Sequence, residues 1–76
     1  MSANQIEEII SSIAKVIDEP KKNITINSKS TDFKKWDSLA HVRIILEIER
    51  ITKKKIAVSK VSELLSVKAI SDYISK

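Results

Sequence analysis

The chain has 76 residues, 42% of them hydrophobic and only 4% aromatic, enough for one small domain with a core of Ile, Val and Leu. Its 14 basic and 10 acidic residues leave a formal charge of +4, which raises the question of nucleic-acid binding without answering it. The lack of cysteine excludes disulfides and thiolate metal sites, and the lack of glycine excludes P-loop and dinucleotide-binding fingerprints.

In chain order, the first helix is expected over about Ala3 to Asp18, because Ile6, Ile9, Ile10, Ile13 and Ile17 recur at spacings of three and four. Pro20 follows and ends it. A connection rich in Lys, Asn, Ser and Thr runs from Pro20 to Trp36, long for a compact domain, and long loops are often functional. Ile24, Ile26 and Phe33 punctuate it and are expected to pin it to the core.

The second helix is expected over about Ser38 to Thr52. Leu39, Val42, Ile44, Ile45, Leu46, Ile48 and Ile51 cover an arc of roughly 240°, far wider than the ~100° stripe of an ordinary surface helix. Such an arc means either a central helix or one with apolar surface to spare for a partner. Ile44, Ile48 and Ile51 form one side of it, and Leu39, Val42 and Leu46 form the other, beside Ser38. A short third segment, about Ser59 to Leu65 with Ser59 as N-cap, and a fourth helix, about Val67 to Ile74 with Ser66 as N-cap, complete the chain. The expectation is a single all-α domain over 1–76, a small four-helix bundle of three main helices and one short one. Its helix ends must do without glycine C-caps.

The basic pairs and triplet Lys21-Lys22, Lys34-Lys35 and Lys53-Lys54-Lys55 all fall in connections, where solvated lysines are the ordinary reading. A functional basic surface there suits an acidic partner protein better than a nucleic acid. The N-terminus lacks a basic segment followed by an apolar run, so no signal peptide is expected. No apolar stretch approaches the ~20 residues of a membrane span. A cytoplasmic location and no membrane insertion are therefore expected.

His41 is the only histidine, three residues after Ser38, but neither an orienting carboxylate nor an oxyanion loop accompanies the pair. A surface or partly packed histidine is the expected reading, and no enzyme activity is expected. No cluster of His, Asp and Glu has metal-ligand spacing, so no metal site is expected. Ser38 is the residue with two readings. It opens a helix, where Ser or Asp most often serves as an N-cap. A phosphate ester on its hydroxyl would also be favoured there, because free backbone N–H groups and the helix macrodipole attract an anion.

The segment Phe33…Trp36-Asp37-Ser38-Leu39-Ala40-His41-Val42, opening an Ile/Leu-rich helix, resembles the acyl carrier proteins, and in particular stand-alone carriers of specialised pathways. The resemblance extends to the long first connection, to Ile56 after the second helix and to the closing Val67…Asp72-Tyr73-Ile74. It implies a bundle of acyl-carrier type in which Ser38, within an Asp37-Ser38-Leu39 motif, bears a covalent 4′-phosphopantetheine. A phosphopantetheinyl transferase that needs Mg²⁺ would supply the group from coenzyme A. The arm would carry acyl or aminoacyl groups as thioesters to successive enzymes of a lipid, polyketide or secondary-metabolite pathway, at high effective concentration. By the same resemblance Leu39, Val42 and Leu46 match a partner-docking face, and Ile45, Ile48, Ile56, Leu64 and Ile70 match positions that line an acyl cavity or simply form core.

Two departures from the family pattern carry expectations of their own. Arg43 and Arg50 stand where carriers commonly have Glu, so they are expected to select loading and transferring enzymes with acidic docking surfaces. Trp36 replaces a small residue, as a packing wedge or as a contact for the arm. A monomer is expected. Two rival readings stand beside the carrier: a basic helical module for nucleic acid or protein with Ser38 only an N-cap, and a carrier homologue that is never modified. Against the first, no helix presents a row of Arg, Asn and Gln suited to base edges.

Overall fold

In the computed structural model, which describes residues Ser2 to Ser75 and side chains from Gln5 onward, four α-helices are joined by one long and two short connections. They are α1 (Ser2–Ile17), α2 (Ser38–Thr52), α3 (Val58–Val61) and α4 (Val67–Ile74). Met1 and Lys76, part of the domain expected over 1–76, lie outside the described residues. The all-α architecture with one short helix agrees with the expectation, and no strand occurs among the described residues.

The apolar stripe of α1 forms the centre of the core. Ile9, Ile13 and Ile17 are buried, while Ile6 and Ile10 are half-buried beside them. α1 packs against both α2 and α4, and it is therefore the central helix. α2 turns Ile44, Ile45 and Ile48 inward, and α4 adds Val67, Ile70 and Ile74. The wide apolar arc of α2 thus has its second explanation: surface left over, with Leu39, Val42 and Leu46 exposed.

Helix boundaries follow their caps. Asp37 precedes α2 and its Oδ1 accepts from the Ala40 N–H at 2.9 Å. Ser66 precedes α4 and its hydroxyl accepts from the Ala69 N–H at 3.1 Å. Each satisfies one of the orphan donors of a first turn. α3 is different: it is four residues long and starts one residue earlier than expected, with Ala57 rather than Ser59 at the capping position and no side-chain cap. At the other ends the missing glycine is felt. Asp18 and Lys53 take the left-handed conformation that follows a helix, at φ 57° and 59°, where a Cβ is costly.

The long connection is ordered by local bonds. It contains two single-turn 3₁₀ helices, Lys21–Asn23 and Ser30–Asp32. The Ser28 hydroxyl accepts from the Thr25 N–H at 2.9 Å, and Asp32 Oδ2 accepts from the Lys29 N–H at 3.0 Å. Ile24 is buried, and Ile26 and Phe33 pack half-buried on the core, as expected. A single antiparallel bridge then ties the connection to the start of α4: the Ser30 N–H donates to the Leu65 carbonyl at 2.8 Å, and the Val67 N–H donates to the Ser28 carbonyl at 3.0 Å.

Candidate functional site: a serine at the mouth of an apolar cleft

Because Asp37 supplies the cap, Ser38 is released from that duty. It occupies the first position of α2 and is exposed to solvent. Its backbone sits at the positive end of a 15-residue helix, where an anion attached to the hydroxyl gains from the macrodipole and the free first-turn amides.

Ser38 and Asp37 stand at the rim of a cleft of about 830 Å³ between α2 and α3. Val42, Ile45 and Leu46 of α2 form one wall, and Ile56, Val58, Val61 and Leu65 form the other. Trp36 and His41 line the end near Ser38, and Glu49 contributes the one carboxylate further in. Glu49 is already engaged, since its Oε2 accepts from the Ile56 N–H at 2.7 Å and so fixes the turn that leads into α3.

The five positions expected to line a cavity separate into two groups. Ile45 and Ile56 do line the cleft. Ile48, Leu64 and Ile70 do not; they are buried in the core cluster with Ile9, Ile13 and Ile44. The resemblance implied all five as cavity lining or core, and only tertiary placement separates a core wall from a cleft wall. The cleft residues missed were His41, Val58, Val61 and Leu65; Trp36, expected as a wedge or arm contact, lines the cleft, and Val42 and Leu46, read as docking surface, also border it.

His41 is not a surface histidine. It is 6% exposed, the Trp36 indole N–H donates to its Nδ1 at 3.0 Å, and its Nε2 lies 2.7 Å from the Val61 carbonyl oxygen. Trp36 is 4% exposed and belongs to the core as well as to the cleft, so of its two expected roles the packing wedge is realised. A tryptophan just before the cap and a histidine five residues later are the sequence signal that could have found this pair.

The two expected docking arginines differ. Arg50 is committed to Glu47, which it grips through both Nε and Nη2. Lys15 of α1 reaches the same carboxylate at 3.6 Å. The hydrogen bond from Arg50 holds the Glu47 carboxyl below its ordinary range against the opposing effect of burial, with the charges of Arg50 and Lys15 adding to it; the same pair raises Arg50. Arg43 is exposed and has no ion-pair partner among the described residues. The lysines of the connections are exposed too, with Lys21 paired to Glu7 at 3.1 Å and Lys54 donating to the Ile74 carbonyl.

Among the described residues no group of three or more His, Asp and Glu side chains is placed to hold a metal, and no helix is long and apolar enough to cross a membrane. Compared with known proteins, the chain matches no protein-family model and no curated sequence.

Proposed function

We propose that this chain is an acyl carrier protein of a stand-alone, specialised type, with Ser38 as the attachment point for 4′-phosphopantetheine. One observation carries the reading: an exposed serine hydroxyl, freed from capping by Asp37, stands at a helix N-terminus on the rim of an apolar cleft. The residues fit the group. A phosphodiester at Ser38 meets the positive end of α2, and an attached chain has an aliphatic trough within reach. The same observation weighs against Ser38 being only a cap.

When bound, the arm supplies a thiol that holds acyl or aminoacyl groups as thioesters. The chain's own residues hold, orient and shelter; in this reading they catalyse nothing. Its partners are a phosphopantetheinyl transferase and the enzymes that load and unload the arm. Leu39 at 68% exposure, with Val42 and Leu46, offers them an apolar patch beside the attachment site, and Arg43 next to that patch favours partners with acidic docking surfaces. The protein acts as a cytoplasmic monomer in this reading.

The test is direct. Incubated with coenzyme A, Mg²⁺ and a broad-specificity phosphopantetheinyl transferase, the wild-type chain gains the mass of one arm, and Ser38→Ala gains none. An unchanged mass of the wild type with several transferases would sink the reading.

A further inference from the structure

The hydrogen bonds of His41 admit one arrangement of its proton. The indole N–H of Trp36 can only donate, so Nδ1 of His41 accepts and bears a lone pair. The ring proton is then on Nε2, where it is donated to the Val61 carbonyl 2.7 Å away. The Trp36 indole and the Val61 carbonyl thereby require the same tautomer. A proton on Nδ1 instead would set two N–H donors face to face and leave the Val61 carbonyl with the Leu64 N–H alone, at 3.2 Å.

α3 is otherwise held by Val61, which packs half-buried on the core, and by the Glu49 carboxylate that accepts from the Ile56 N–H leading into it. The helix is four residues long and lacks a side-chain cap. Val58 is 89% exposed, and Ser59 and Lys60 are exposed as well. Its flanks are anchored by Ile56 and Leu64, which are buried, and by the Ala57 N–H, which donates to the Tyr73 hydroxyl at 3.2 Å. Among the described residues, the bond from His41 to Val61 is the one side-chain hydrogen bond that joins α2 to α3. It crosses the cleft at the end nearest Ser38.

We infer that Trp36 and His41 form a strut that sets the width of the α2–α3 cleft and so determines which aliphatic acyl groups it shelters. His41 is the positioning residue for α3, and Trp36 holds its ring through Nδ1. The strut itself follows from these contacts; only the identity of the sheltered group rests on the carrier reading. The apolar walls select an aliphatic chain. The closed core behind them, where Ile44, Ile48 and Ile70 are fully packed, keeps that chain in the cleft.

The first test uses the unmodified protein. His41→Leu is expected to speed amide hydrogen exchange of residues 58–64 about tenfold, the worth of one net hydrogen bond, while α1 and α4 exchange as before. His41→Gln, whose amide N–H reaches about as far as Nε2, restores slow exchange. In the wild type, long-range ¹H–¹⁵N spectra show His41 with its proton on Nε2 alone. Unchanged exchange at 58–64 in His41→Leu, an equal rise throughout α1, or a wild-type His41 bearing its proton on Nδ1 each overturns the strut.

The second test uses chains loaded with octanoyl or acetyl thioesters and cleaved by hydroxylamine. The wild type protects octanoyl more than acetyl, and His41→Leu loses that difference. Equal octanoyl-to-acetyl ratios in the two proteins overturn the assignment of cargo. Failure of the carrier reading shows separately, as a wild-type mass that never changes, and leaves the exchange and tautomer tests decisive for the strut.

Discussion

The two sides of α2 were built from the same residue types and do opposite things. Ile44 and Ile48 press against α1 in a core with no room left, whereas Val42 and Leu46, two residues away on the other side of the helix, border an open cleft and face solvent. α1, at 16 residues, closes the first side; α3, at four, only leans over the second. The difference teaches that apolar content does not determine what a helix face is for. The length of the opposing helix determines it. A long helix seals an apolar face, and a single turn of helix leaves it accessible.

The sharpest way to break this contrast is to truncate both sides. Ile44→Ala should lose ~2–5 kcal/mol on chemical denaturation, as for a fully buried aliphatic, and Leu46→Ala should lose well under that. Equal losses would show that the cleft side is core after all. Next in size is the cap that frees Ser38. Asp37→Ala should cost ~1 kcal/mol, read as a lower denaturation midpoint with an unchanged slope. A negligible loss would mean that Asp37 matters to partners rather than to the helix.

At the far end of α2, Lys53→Gly should remove the penalty of a Cβ at positive φ and gain up to ~1 kcal/mol. A loss instead would mean that the Lys53 side chain contributes more than its backbone costs.

A smaller effect concerns the ion pairs joining α1 to α2. The folded Glu47 carboxyl lies below its ordinary value. Its contribution is therefore complete above the unfolded carboxylate range near ~4.3 and disappears as pH falls through the lower folded value. Glu47→Gln should flatten that part of the stability-versus-pH curve by lowering neutral stability slightly and leaving acid stability unchanged; an identical acid limb in the variant would refute the assignment. Smallest for the fold is Arg43→Glu. It should leave the denaturation curve in place while slowing loading by the cognate enzyme, and unchanged loading kinetics would remove Arg43 from the docking surface.

How far the sequence could be read depended on which residues carry their meaning locally. The extents of α2 and α4 were legible because a polar residue at the start and a periodic apolar run are both short-range signals: Asp37-Ser38 opening Ser38–Thr52 and Ser66 before Val67–Ile74. α3 was placed one residue late because Ser59 looked like a cap, while the turn is set by Glu49 gripping the Ile56 N–H from seven residues away. Ser38 was legible as exceptional but not as exposed, since adjacent Asp and Ser are equally able caps. Ile48, Leu64 and Ile70 were legible as buried, with core and cavity both open, and His41 stood as a surface or partly packed histidine because nothing in its spacing reveals the Val61 carbonyl across the cleft.

The bridge between Lys29 and Ser66 has a topological meaning. It closes a ring of chain that contains α2, α3 and the whole cleft, and α1 and α4 lie outside that ring at its two ends. The segment that offers the serine and the trough is therefore fastened to α1 and α4 twice over, by this clasp and by the packing of α2 on α1. A break in the chain near Lys53–Lys55 would leave both pieces fastened to the same clasp.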